Sequence, residues 1–269
     1  MPPTSVGWAE AQAAVASMAS RVSALIRSVS DPDTPALGVW TRGQLAAHLT
    51  HVYEVDLDLL NEVPPPLDDL ADLGELTQSK VRDEAVCDPA ALADRVDRAA
   101  AAFLSVARGM TGTEPRMWVG GVGVTATVLA CHIMNESMVH GLDLGGAGWK
   151  IEQRDARLAF EGFICPMYRS LGRPDFAVHP ENAAGVRATY DIRVRGGGRY
   201  FFVFENGGLV IEDPSDRPVD CHLWADPRAI MLLAWHRTGL AGPVLKLQVF
   251  PWGPKPWLAF RLPGLLKLP

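Results

Sequence analysis

The stretch Leu129-Ala-Cys-His-Ile-Met-Asn-Glu136-Ser-Met-Val-His140-Gly-Leu-Asp143 decides how the first half of the chain is read. Leu129, Ile133, Glu136 and His140 follow one another at spacings of four, three and four, so on a helix all four share one face. Leu129 and Ile133 make that face the buried one. A carboxylate placed there is costly unless it is paired or bound to a metal, so Glu136 and His140 are candidate metal ligands. His132 stands four residues before Glu136, just as His140 stands four after it. With about 1.5 Å of rise per residue, the two histidines are roughly 12 Å apart along the axis, whereas metal–nitrogen bonds measure about 2.0–2.1 Å. One helix therefore cannot supply all three groups, and a third ligand has to come from another element.

Reading outward, Gly120-Gly-Val-Gly123 precedes this helix, which is expected from about Thr125 to Leu144. Upstream, Val6 to Val29 has apolar residues at helical spacing and runs into Ser30-Asp-Pro-Asp-Thr-Pro35, whose prolines are expected to stop the helix. A second helix is expected after Trp40, with Thr41 as N-cap, through Leu45, His48, Leu49, Val52 and Leu59 and ending before Pro64-Pro65-Pro66. A polar, acidic stretch through Arg82 leaves room for a short helix. Asp88-Pro89 then supplies the N-cap and first-turn proline of a third long helix to about Arg108. Four long helices with two long connections make a bundle.

His48 lies three residues after Leu45 and four before Val52, which puts its imidazole on the core stripe and makes it the best candidate for the third ligand. His51, beside Glu54 and Asp58 by helical spacing, is expected to be exposed. Asp143, one turn beyond His140, is placed to take the second N–H of that imidazole. Two histidines and a carboxylate leave a coordination position open, as in catalytic rather than structural sites. The donor set accepts zinc, iron, nickel or manganese alike.

The second half changes period near Gly185. Val186 to Val194 alternates, Gly196-Gly-Gly198 supplies a turn, and Tyr200 to Phe204 is aromatic and β-prone, so a hairpin is expected there. Leu209 to Ile211 and Val219 to Trp224 would add strands. Asp226-Pro227 opens a helix through about Arg237, and Ile151 to Leu171 is expected as one more helix. The tail from Phe250 to Pro269, rich in Pro and Trp, shows no period and is expected to be an extended arm.

With 269 residues, two domains are the expectation, residues 1–150 and 151–269. A composition of 48% hydrophobic and 21% charged residues with net charge -6 is that of a globular protein rather than a disordered or fibrous one. No basic patch suggests a nucleic-acid partner. Apolar runs are broken well short of the roughly 20 residues that span a bilayer, and no signal peptide is visible at the N-terminus. Cys87, Cys131, Cys165 and Cys221 form no Cys-x-x-Cys pair, so they are read as packed small side chains in a reducing cytoplasm. A monomer or homodimer without membrane or nucleic-acid partners is expected.

Trp40-Thr-Arg-Gly-Gln-Leu-Ala-Ala-His48-Leu, followed far downstream by Asn135-Glu-Ser-Met-Val-His-Gly-Leu-Asp143, resembles the mycothiol-dependent maleylpyruvate isomerase family within the wider DinB-like metal-binding superfamily. The resemblance covers about 150 residues. It implies an α+β protein of two domains, an N-terminal DinB-like four-helix bundle and a C-terminal sterol-carrier-protein-like α/β domain with a mainly antiparallel sheet. It implies zinc on His48, Glu136 and His140, and mycothiol as a thiol cosubstrate ionised on the metal. It also implies that an arginine of the C-terminal domain holds an acidic small-molecule substrate. Leu232-Leu-Ala-Trp-His-Arg237 resembles the family's segment ending in that arginine, although Trp-His stands here where a glycine commonly precedes it. The bland reading of Arg237 is a solvated residue in a helix's last turn, favoured by the dipole.

Thiol-dependent isomerisation or S-transfer is the leading expectation. Two others stand beside it: a hydrolase or lyase using metal-bound water, and a lipid or small-ligand carrier, suggested by the aromatic strand Tyr200-Phe-Phe-Val-Phe204.

Overall fold

Three of the long helices of the first half begin where short polar side chains take up otherwise unpaired backbone N–H groups. The computed structural model describes residues 5–63, 67, 69–171 and 177–267, so Pro64, Pro65 and Pro66 lie outside the described residues. Helix α1 spans Trp8–Arg27 and ends before the two prolines are reached. Its end is closed by Ser28, whose hydroxyl donates to the Leu25 carbonyl at 2.6 Å. Short strands β1, Pro35–Leu37, and β2, Trp40–Thr41, lead into α2, Arg42–Leu60. Thr41 and Gln44 form a capping box: the Gln44 amide donates to Thr41 Oγ1 at 3.3 Å and the Thr41 amide to Gln44 Oε1 at 3.0 Å. The first turn of α2 is therefore fixed, and with it the direction of His48 two turns on.

Helix α3 spans Leu73–Asp83, and α4 spans Pro89–Ala107 behind the Asp88 cap. A hairpin that periodicity does not reveal, β3 at Pro115–Met117 and β4 at Gly123–Thr125, delivers the chain to α5, Ala126–Gly145. Thr125 caps α5 by accepting from the Val128 amide. Helices α1 and α2 each pack on both α4 and α5. Their shared core includes Val15, Val22, Leu45, Leu49, Val96, Phe103, Leu129 and Ile133, all fully buried. These residues form a compact unit reaching Ile151, and a second runs from Glu152.

In the second unit α6, Gln153–Ala159, and α7, Cys165–Ser170, are joined by a π-helical turn at Phe160–Ile164. The turn carries buried Glu161, whose carboxylate accepts the Gly198 amide at 2.5 Å. A short α8, Pro180–Ala183, precedes the strands β5, Ala188–Val194, β6, Arg199–Glu205, β7, Gly208–Glu212, and β8, Cys221–Ala225. Then come α9, Pro227–Ala234, α10, Ala241–Leu245, β9, Val249–Trp252, and α11, Leu262–Leu265. The sheet order is β7-β6-β5-β8-β9, antiparallel except for the parallel pair β5 and β8. The whole is a mixed α+β protein, a helical region followed by a mainly antiparallel sheet.

Two expectations are corrected here. The tail is no extended arm: Val249–Trp252 is an edge strand, and Leu258, Ala259, Leu262 and Leu265 are buried. Its periods are too short to read, and Pro251 is tolerated because an edge strand can do without one donor. Helix α9 stops at Ala234, three residues before Arg237, with His236 at a φ of 53°. The aromatic residues of β6 fill the unit's own core: Phe202 stacks on Phe160 at 6.3 Å and Tyr200 meets the same ring edge-on at 6.2 Å. Among the described residues, no helix is long and apolar enough to cross a membrane.

Gly141 in α5 is needed for a close approach. A Cβ built there would lie 2.4 Å from Cε2 and 2.6 Å from Cζ2 of Trp149. Replacing an internal helical glycine by alanine ordinarily gains about 1 kcal/mol, but overpacking costs about 1–3 kcal/mol, so the clash should win. Gly141→Ala is expected to lower the urea midpoint, and to raise it in a Trp149→Ala background. A higher midpoint for the single variant would show that the indole does not press on the helix.

Candidate metal centre

His48 of α2 and Glu136 and His140 of α5 meet in the bundle interior. Their ligating atoms lie within 4.8 Å of one another, a group of three that could hold a metal ion. The Nε2 atoms of both histidines stand 3.5 Å from the same carboxylate oxygen, Glu136 Oε2. The two imidazole rings are nearly perpendicular, at 89°, with centroids 4.7 Å apart. At 3.5 Å these contacts are longer than N–H···O hydrogen bonds of about 2.9 Å, and His48 Nε2 is buried with no hydrogen-bond partner. An orphaned imidazole nitrogen is costly, unless a further group sits between the three atoms. Tetrahedral ligands at about 2.0–2.1 Å from zinc are separated by about 3.4 Å, close to the spacing seen. The residues present therefore fit a divalent metal.

Each member is held from behind. His140 Nδ1 lies 3.1 Å from Asp143 Oδ2, which turns Nε2 inward. Trp40 packs on the His48 ring, with centroids 5.0 Å apart. Glu136 Oε1, the oxygen facing away from the two histidines, accepts from Asn135 Nδ2 at 3.0 Å. His132 does not join the three. Its Nδ1 is bound to Asp56 Oδ2 at 2.8 Å, and its Nε2 is 3.9 Å from Glu136 Oε1.

The electrostatics follow from burial opposed by partners. Burial lowers the proton affinity of His48, favouring the neutral imidazole that a metal requires. Burial opposes ionisation of Glu136, but the imidazoles of His140 and His48 facing its carboxylate outweigh it and hold the carboxyl well below its usual range. Burial also opposes charge on His140, yet Asp143 and Glu136 together raise it to about 9. Without a metal the centre thus contains a Glu136–His140 ion pair beside a neutral His48.

Arg237 belongs to the second unit, past the end of α9, where its Nη1 donates to the Trp235 carbonyl at 3.0 Å. His51 is not exposed as its neighbours suggested. Its Nε2 is 2.8 Å from Glu84, which also binds Arg95, and Arg95 in turn forks onto Glu54. The segment after α3 brings Glu84 to His51, and helical spacing within α2 cannot show that. Asp56 is fully buried, and its partner His132 comes from another helix. A signal was present: Asp56 lies eight residues, two turns plus a little, beyond His48 on the stripe that also carries Val52.

Residues 11–145, just over half of the chain and including all three candidate ligands, match the mycothiol maleylpyruvate isomerase N-terminal domain. Among solved structures, that of the mycothiol-dependent maleylpyruvate isomerase aligns over 87% of this chain and 90% of its own, with TM-score 0.51 and 15% identity. A histidine-to-alanine mutant of that isomerase aligns over the same shares with TM-score 0.52 and 15% identity. At such identity the likeness is one of fold. No curated protein matches the chain in sequence. By its match over residues 11–145, the chain belongs to the mycothiol maleylpyruvate isomerase N-terminal domain family.

Proposed function

We propose that His48, Glu136 and His140 hold one divalent metal, zinc, and that the protein is an enzyme using mycothiol there for isomerisation or S-transfer on a small acidic or electrophilic substrate. The observation that carries this reading is the buried, unpartnered Nε2 of His48 directed at the carboxylate oxygen that His140 also faces. When bound, such a metal ionises a coordinating thiol and so supplies a thiolate nucleophile at neutral pH. The chain's own groups provide the setting. Burial keeps His48 neutral, Asp143 aims the His140 Nε2 inward, and Glu136 contributes the one anionic donor. Three protein donors leave room for the thiol sulfur. The sterol-carrier-like reading of residues 151–269 accompanies this proposal, as does the assignment of Arg237 to an acidic group of the substrate. Both are supported by the sequence resemblance.

Metal analysis should find about one zinc per chain, and His48→Ala should lose it. Calorimetric titration of the metal-loaded protein with mycothiol should show binding that His48→Ala abolishes; loaded protein that binds no thiol would overturn the cofactor assignment. Asp143→Asn should weaken zinc binding about 10–100-fold in competition with a chelator, and unchanged affinity would remove Asp143 from the site.

Loading should also release protons. His140 is protonated below about 9 in the empty site, whereas Glu136 is already ionised and His48 neutral. Binding at pH 7 should therefore displace about one proton from His140, against about a quarter for an imidazole of ordinary pKa. Apparent affinity should fall about tenfold per pH unit as the pH drops below about 9. Calorimetry in buffers of different ionisation enthalpy reads the number directly.

A further inference from the structure

His132 and His140 are mirror images about Glu136. They stand one turn before and one turn after it, and each has its Nδ1 bound to a carboxylate: Asp56 at 2.8 Å for His132, Asp143 at 3.1 Å for His140. In both cases the carboxylate turns the ring so that Nε2 points towards Glu136. The two oxygens of Glu136 are divided between them. Oε2 faces His140 and His48, while Oε1 accepts from Asn135 and has His132 Nε2 3.9 Å away, an ion-pair distance rather than that of a hydrogen bond. Trp118 closes the far side of the His132 ring, edge-on at 5.5 Å. Asp56 is fully buried, and its Oδ1 has no hydrogen-bond partner. A buried carboxylate left half-satisfied is expensive, and a plain packing residue at this position would avoid the cost.

We propose that Asp56 and His132 form a positioning pair that, together with Asn135, retains Oε1 of Glu136 and so keeps this carboxylate a one-oxygen ligand. The inference rests on the reading of His48, Glu136 and His140 as the ligand set. A carboxylate free to turn could chelate through both oxygens and fill the position that an incoming sulfur needs. His132, too far along the helix to share a metal with His140, instead restrains the side chain between them. The pair lies outside the ligand set, so its loss should leave the metal bound and alter how it is held.

The test is cobalt(II) substitution of the full chain, with zinc affinity measured by chelator competition and unfolding midpoints of the metal-free proteins as the control for folding. Wild type should take up cobalt with the intense visible absorption of a four-coordinate site. His132→Phe keeps the ring and its packing on Trp118 but loses both nitrogens. It is expected to bind zinc about 10–100-fold more weakly and to shift the cobalt spectrum towards the weaker bands of higher coordination. Asp56→Asn should move both readouts in the same direction by less, and it carries the test if His132→Phe does not fold. Wild-type affinity together with a wild-type spectrum in the folded variant would overturn the proposal while leaving the ligand set standing. Absence of metal uptake by the wild type would overturn both.

Discussion

An ionised carboxylate in the apolar interior of a helical bundle is the constraint on which the first half of this protein turns. Glu136 lies on the same face of α5 as Leu129 and Ile133, where desolvation works against its charge. Every polar group nearby can be understood as an answer to that problem. His48 and His140 converge on one oxygen, Asn135 and His132 attend to the other, and Asp143 and Asp56 stand behind the histidines. The bundle builds this arrangement from two adjacent helices, α2 and α5, and both are anchored by caps. The Thr41 capping box and the Thr125 cap fix where each helix starts, and hence which side chains point inward two and three turns later.

The family relationship and the geometry speak to different levels. The match over residues 11–145 places the chain in its family, and the solved isomerase structures share its fold at 15% identity. Neither supplies the chemistry of this chain's site. That comes from contacts too long to be hydrogen bonds between atoms too buried to be left alone, and from an imidazole whose environment leaves it neutral. A site assembled for a cation should show this combination, whereas a site stabilised only by its own ion pairs would have closed the gaps to about 2.9 Å.

Much of this was legible in the amino-acid sequence because it is local. Periods of three and four put Glu136 and His140 on one face, and the rise per residue separated His132 from His140. Asp88-Pro89 and Thr41 announced their helices. What could not be read depends on segments distant in sequence. Asp56 is 76 residues from His132, and Glu84 is 33 from His51. The hairpin β3–β4 has three residues per strand, too few for alternation to register. The π-helical turn at Phe160–Ile164 keeps the helical period closely enough that it reads as unbroken helix, although it is what carries Glu161 to the turn between β5 and β6. The tail reads as an extended arm because proline and tryptophan obscure a four-residue strand.

That strand bears on how the molecule behaves among its own kind. A sheet with an open margin is a template for strands from other chains, and unguarded margins lead to aggregation. Here the last strand added, β9, is four residues long and has Pro251 within it. A foreign strand arriving along it would find a short ladder with a missing rung. The same segment that completes the sheet thus also discourages its growth, leaving the five-residue β7 as the other margin of this sheet at which neighbouring molecules could zip together.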